Sequence, residues 1–264
     1  MPYSKMVVGF LDILGTRADQ SFDSKYRVHR AFHESINDVQ ARDRQEASYY
    51  RRVASFSDCA YIFHGFREGV AETEEAQDLL IQAALFNTTL ATIRLLNDGY
   101  LVRGGISFGD AYHDDLSFFG PAVEKAFILE SQKAVTPRIL IEDSLGSRAK
   151  SFSDNAHKEN FSEKNPDFAL LPKRSYIPEL VLEKNGSYYL NVLYILEMES
   201  RLQLGEMEFT HDGLKKTVMD NINAQIRDHP WESPVRPKLE WMEEYLNNSV
   251  CSLEQPGTSV AITL

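Results

Sequence analysis

The first apolar run of the chain, Met6-Val7-Val8-Gly9-Phe10-Leu11-Asp12-Ile13-Leu14, is interrupted by a single carboxylate. Lys5 to Ile13 is dense in Val, Phe, Ile and Leu and reads as a buried strand, which Gly15-Thr16 breaks before a helical region begins. Ser24 to Ala47 is polar, with scattered apolar positions at Tyr26, Val28, Phe32 and Ile36. That pattern predicts a partly exposed helix ending near Arg44. Tyr49 to Phe63 is a second strand region, turning at Asp58 into a hairpin. Thr73 then caps a helix with Glu74 and Glu75 in its first turn, the favoured sign at a helix N-terminus. Leu79, Ala83, Phe86, Leu90 and Ile93 form its apolar stripe, and Asn97-Asp98-Gly99 stops it. Tyr100 to Gly109 reads as a strand, Tyr112 to Asp115 as a loop and Leu116 to Phe119 as a short strand. Gly120-Pro121 opens a helix running to Leu129, and Arg138 to Ile141 is another strand.

The order β-α-β-β-α-β-β-α-β predicts an α+β fold, palm-like, with helices on one face of a mainly antiparallel sheet. Composition shifts near Ser144. Residues 153–167 are polar and read as loop, and Lys184-Asn185-Gly186-Ser187 reads as the turn between strands Val181-Leu182 and Tyr188 to Leu196. Phe209 to Ile226 reads as a helix, as does Pro237 to Leu246 with Leu239, Met242, Tyr245 and Leu246 on one face. Ser252 to Leu264 has no period and is a candidate for exchange with a partner. The expected division is a core over residues 1–145 and a C-terminal α/β subdomain over 146–264 that completes it.

Composition narrows the function classes. The 264 residues carry 39 acidic and 28 basic side chains, a net charge of −11, which argues against binding a nucleic-acid polymer. A single nucleotide is still compatible, because a few local cations and a metal ion suffice for one triphosphate. Cys59 and Cys251 are the only cysteines, with no disulfide framework and no zinc spacing. The run from Met6 to Leu14 is too short to span a membrane. A cytoplasmic protein with no membrane partner is the expectation.

Two carboxylates at strand ends are the candidate chemistry. Asp12 precedes a small-residue turn whose backbone N–H groups, from Leu14, Gly15 and Thr16, suit phosphate oxygens. Taken alone, it serves equally as a helix cap. Asp58 follows Ser57 and, alone, serves equally as a turn residue. Together, on adjacent strands, they suit Mg²⁺ or Mn²⁺, which prefer hard oxygen ligands. If the strand before Asp58 is unbroken, Tyr50, Arg52, Ala54 and Phe56 share its face, where Tyr50 and Arg52 can reach a base edge or a phosphate. Arg103 sits among apolar neighbours on a strand and needs a partner there: a triphosphate, Asp58 or Asp110. Asp110, His113, Asp114 and Asp115 invite a second metal site, with a solvated loop the stronger reading.

These segments resemble class III nucleotidyl cyclases. The resemblance lies in Phe10-x-Asp12-Ile13-x-Gly15-Thr16, Ser57-Asp58, Arg103-Gly104-Gly105-Ile106-Ser107-x-Gly109 and Gly120-Pro121-Ala122-Val123, followed by Leu129-Glu130, across residues 6–141. It implies a ferredoxin-like palm with active sites at a head-to-tail homodimer interface. It also implies two metal ions on Asp12, Asp58 and the Ile13 carbonyl. The 3′-hydroxyl of a nucleoside triphosphate would attack its own α-phosphorus. Purine cyclases place Lys or Glu where this chain has Ala54, and a carboxylate where it has Ser117. The family's ribose asparagine and transition-state arginine align with Glu124 and Ile128, leaving Arg103, Lys125 or a partner's cation as substitutes. The pattern is similar to the pyrimidine cyclases of the bacterial Pycsar antiphage system, in Phe10-Leu11-Asp12-Ile13-Leu14-Gly15, the Tyr50 strand, the run from Gly120 to Ala126 and Pro137-Arg138-Ile139. That similarity implies a base pocket narrowed by Tyr50, UTP or CTP as substrate (UTP favoured), and a cyclic nucleotide that activates a separate effector.

Overall fold

The computed structural model describes residues 3–15, 21–40, 48–160, 174, 176–228 and 232–253. Strand β1 (Ser4–Ile13) is an interior strand of the main sheet. Helix α1 (Phe22–Gln40) leads to the hairpin β2 (Tyr49–Phe56) and β3 (Cys59–Phe66), and helix α2 (Glu74–Asn97) leads to β4 (Val102–His113). The spatial order is β2-β3-β1-β4, with β1 antiparallel to both β3 and β4. This β-α-β-β-α-β unit is the ferredoxin-like arrangement, as expected. A short β5 (Phe118–Phe119) folds back on β4 ahead of helix α3 (Pro121–Ile128). A π-helical turn over Leu129–Lys133 follows, then β6 (Ile139–Ile141), which joins β4 in parallel. The remaining elements are α4 (Asp143–Asn160), β7 (Val181–Lys184), β8 (Ser187–Leu190), α5 (Tyr194–Glu199), β9 (Arg201–Leu204), β10 (Met207–Thr210), α6 (His211–Asp228) and α7 (Arg236–Asn248). β8 and β7 extend the main sheet beyond β6, while β9 and β10 form a separate hairpin.

Strand alternation assigns the two faces of this sheet. Val7, Leu11 and Ile13 of β1 face a core shared with Val28 and Phe32 of α1 and with Leu80, Ile81, Ala84 and Leu85 of α2. Met6, Val8 and Phe10 face the other way, against Ala122, Val123 and Ala126. The mixed class and mainly antiparallel sheet are as predicted, and α1 and α2 share a face; α3 covers part of the opposite one. Its close approach depends on Gly105, where a Cβ would fall 2.3 Å from the Ala126 carbonyl oxygen. Helix α2 is long and apolar enough to cross a membrane, but 67% of its apolar window is buried inside the protein. Thr88, Thr89 and Thr92 donate their hydroxyls to carbonyls one turn back, so these three buried hydroxyls are satisfied within the helix.

Some local expectations change. The loop expected over 153–167 is helix as far as Asn160, and α4 packs through its first turns, where Leu145, Gly146 and Ala149 are buried. Residues 161–167 lie outside the described residues, as do the helix end near Arg44 and residues 254–264. The strand expected to run to Leu196 stops at Leu190. There the Asn191 side chain accepts a hydrogen bond from the Leu193 N–H (3.3 Å), turning the chain into α5. The helix expected from Phe209 begins at His211, because Met207 to Thr210 pairs with β9. The loop expected from Tyr112 likewise begins two residues later, with Tyr112 and His113 paired to β5.

His64 on β3 is buried opposite Arg51 on β2, and burial first, then the Arg51 charge, drive its pKa down to about 3. Between about pH 6.5 and 3 only the unfolded chain therefore takes up this proton. Stability is full above pH 6.5 and falls on acidification by roughly 1 kcal/mol per pH unit. Denaturant midpoints measured from pH 7.5 down to 5 check this. The slope should flatten in His64→Leu, and an equal slope in both proteins would refute the assignment.

Candidate active site

Three neighbouring strands form one row across the sheet at the end of β1. Asp12 is in register with Cys59 of β3 on one side and with Arg103 of β4 on the other. Asp58 immediately precedes Cys59, in the two-residue turn of the β2–β3 hairpin, and its carbonyl accepts the Ile13 N–H at 3.0 Å. The turn is tight enough to put Ser57 at φ 56°, the left-handed region that favours glycine. Both aspartates thus sit at the same end of adjacent strands, each with about one-fifth of its side chain exposed.

The charges around them are organised. Arg103 Nε donates to Asp12 Oδ2 at 2.9 Å and lies 2.7 Å from Glu130 Oε1. Nε carries one hydrogen, which points at Asp12, so Glu130 holds the guanidinium through charge. Glu130 is 3% exposed and comes from the π-helical turn after α3. Lys25 of α1 approaches Asp58, with Nζ 3.9 Å from Oδ2. The Cys59 thiol registers the whole group: burial first, then the charges of Asp12, Asp58 and Glu130, push its pKa up to about 11. Arg103 therefore pairs with Asp12 and Glu130, which corrects the expectation of Asp58 or Asp110 as its protein partner. Asp110 instead pairs with Lys5 at 2.8 Å.

The other predicted positions divide. Leu14 donates its N–H to the Leu101 carbonyl at 2.8 Å, so that group is already engaged rather than turned toward a phosphate. Gly15 follows in an open turn at φ 88°, and Thr16 lies outside the described residues. Tyr50 is on the same sheet face as Asp12, its ring lying over Gly65, where a Cβ would come within 2.8 Å of it. It is at the far end of the hairpin, six residues along β2 from Phe56, or roughly 20 Å from the aspartate end. Burial raises the Tyr50 pKa, partly offset by Arg52. Arg52 is exposed, and its charge also acts on His113. Tyr50 and Arg52 therefore form a second cluster, separate from the carboxylates within one chain. Lys125 pairs with Glu142 at 2.5 Å, while Glu124, Phe127 and Ile128 are exposed on α3. Asp114 is folded into its own loop, accepting from the Tyr112 hydroxyl and the Leu116 and Ser117 N–H groups.

Among the described residues, no group of three or more His, Cys, Asp or Glu side chains is arranged to hold a metal ion. The donors at the aspartate end are two carboxylates, the hard-oxygen chemistry that Mg²⁺ and Mn²⁺ take, with the remaining positions left to water and substrate. The residues present fit that group. Glu130 and Lys25 are the charged neighbours of this group that sequence reasoning missed. A strand-interior arginine signals a buried carboxylate somewhere, but nothing in the spacing points to Glu130.

No protein-family model matches the chain, and no curated protein does. Among solved structures, a bacterial light-regulated adenylyl cyclase is similar at 13% identity and a TM-score of 0.41, over 73% of this chain and 92% of that one. A second structure of a bacterial light-regulated adenylyl cyclase is similar at 18% identity and a TM-score of 0.37, over 56% of this chain. The match covers 46% of that second structure's chain, less than half its length.

Proposed function

We propose that this protein is a pyrimidine nucleotide cyclase that converts UTP to 3′,5′-cyclic UMP and pyrophosphate. The observation that carries the reading is the placement of Asp12 and Asp58 at one end of adjacent strands, joined by the Ile13–Asp58 backbone hydrogen bond. In the reaction the ribose 3′-oxygen bonds to the α-phosphorus and releases its proton to solvent. The bond from that phosphorus to the bridging oxygen breaks, and pyrophosphate leaves. Two Mg²⁺ or Mn²⁺ ions on Asp12 and Asp58, helped by the Ile13 carbonyl, would supply acidification of the hydroxyl and charge neutralisation of the phosphates. Arg103, pinned by Glu130, holds the Asp12 carboxylate in one orientation. Ser57 and Gly15 border the phosphate side.

The roughly 20 Å between Tyr50 and the aspartate end is too long for one chain to grip both ends of one nucleotide closely. A head-to-tail homodimer removes the difficulty, because one protomer's Tyr50 and Arg52 would face its partner's carboxylates. Phe119, Phe127 and Ile128, exposed on or beside the same sheet face, would be covered in such a dimer. Residues 1–145 would form the catalytic core and 146–264 a subdomain that completes it. The wider setting, a cytoplasmic second-messenger enzyme of antiphage defence with a separate cyclic-nucleotide effector, rests on the sequence resemblance alone.

The experiment is incubation of purified protein with Mn²⁺ and each of the four ribonucleoside triphosphates, with products resolved by mass. UTP should give cyclic UMP. Cyclic CMP instead would move the substrate to CTP, a purine product would refute the pyrimidine reading, and no product would refute the enzyme. Tyr50→Ala should lower discrimination among the triphosphates more than it lowers metal dependence. An unchanged preference would remove Tyr50 from the base pocket. A second reading, a catalytically inactive nucleotide-binding palm, is favoured by Glu124 and Ile128 standing where the family has its asparagine and arginine.

A further inference from the structure

Lys25, His29 and His33 recur at four-residue intervals on α1 and so lie along one helix face. That face looks onto the β2–β3 hairpin. Lys25 reaches Asp58, while both histidines reach Ser55 on β2. The imidazole rings are 4.4 Å apart between centroids, with their planes at 55°. His33 Nε2 lies 2.9 Å from Ser55 Oγ, and His29 Nδ1 lies 3.5 Å from the same oxygen. Two ring nitrogens from successive helical turns therefore converge on a single point. The hydroxyl there has one hydrogen, so it can donate to only one of them at a time.

We propose that His29 and His33 form a binding site for one divalent transition-metal ion of the Zn²⁺ class, with the Ser55 hydroxyl or water completing its coordination. Neutral imidazole nitrogens select Zn²⁺, Ni²⁺ or Cu²⁺, whereas the carboxylates of Asp12 and Asp58 suit Mg²⁺ and Mn²⁺. Two histidines one helical turn apart are a pre-organised pair, because the helix fixes their spacing before the ion arrives. The ion would fasten α1 to β2, whose chain continues through Phe56 and Ser57 to Asp58. The hairpin carrying the second aspartate would then be stiffened from the opposite side of the sheet. This site stands on its own geometry and is independent of the cyclase reading.

Calorimetric titration with ZnCl₂ in excess Mg²⁺ tests it, on full-length wild-type protein and on His29→Ala, His33→Ala and Asp58→Ala, each first checked for folding by circular dichroism. His29 is exposed, so its replacement does not threaten the core. The wild type should take up one Zn²⁺ per chain and melt at a higher temperature with Zn²⁺ present. Each histidine variant should lose at least about tenfold in affinity, along with the thermal shift. Asp58→Ala should retain both. Three outcomes would overturn the proposal: no uptake by the wild type, uptake unchanged in either histidine variant, or uptake lost only in Asp58→Ala.

Discussion

Asp58→Ala should abolish cyclic-nucleotide formation, lowering kcat by roughly a thousandfold or more, while the melting temperature changes little. The expectation follows from where the side chain is. Asp58 sits in a two-residue turn, about one-fifth exposed, and its structural tie is through its backbone carbonyl, which accepts from Ile13 and survives the substitution. What disappears is one of two carboxylates at the end of the sheet, and with it, in the proposed reaction, several kcal/mol of charge stabilisation at the phosphates. A second readout separates lost chemistry from lost fold. The Asp58 charge helps raise the Cys59 pKa, so in the variant that thiol should become more acidic and alkylate faster at alkaline pH. Turnover near the wild-type level in a protein with the altered thiol would mean that Asp58 faces the site without serving the reaction.

Gly105→Ala should cost about 3 kcal/mol of stability and remove most activity as well, although residue 105 touches no substrate in the proposed site. The added Cβ would lie 2.3 Å from the Ala126 carbonyl oxygen, 2.5 Å from Leu129 Cβ and 3.0 Å from the Glu130 nitrogen. These atoms belong to helix and turn backbone or adjoin it, so no side-chain rotation relieves the clash. The end of α3 must lift from β4, carrying Glu130 away from Arg103 and releasing the arginine that orients Asp12. Gly109→Ala is the control: its Cβ would sit 3.8 Å from Ala122 Cβ, an ordinary contact, and should shift the denaturant midpoint little. Equal midpoints for the two variants would refute the close-approach argument.

The Gly105 case shows where sequence reading stops. The β1 run, the turn at Asp58, the Thr73 cap and the proline opening α3 were each legible from local patterns, because strand alternation, capping and turn chemistry act over a few residues. In the C-terminal part the same rules ran a strand through Asn191 and a helix through Phe209 to Thr210. Those breaks depend on a side-chain-to-backbone turn and on pairing with β9, neither of which has a periodic signature.

The candidate site divides in the same way. Asp12 and Asp58 could be nominated in advance because each interrupts or ends an apolar run, where an ionised group must be used or paired. That they share one end of the sheet follows from the antiparallel register of β1 with β3, a non-local pairing. The identity of Arg103's partner was beyond reach from the sequence. Glu130 lies on a different element, and its approach requires both a glycine on β4 and a π-helical turn. The separation of Tyr50 from the carboxylates also emerges only in three dimensions, since alternation reports which face a residue occupies and not how far along that face it lies. By itself, then, the sequence determined the succession of elements and the groups with chemical potential, because those depend on neighbours along the chain. Tertiary structure alone decided which charges meet, which backbone groups are already engaged and which residues lie too far apart within one chain, because those depend on strand register and helix packing.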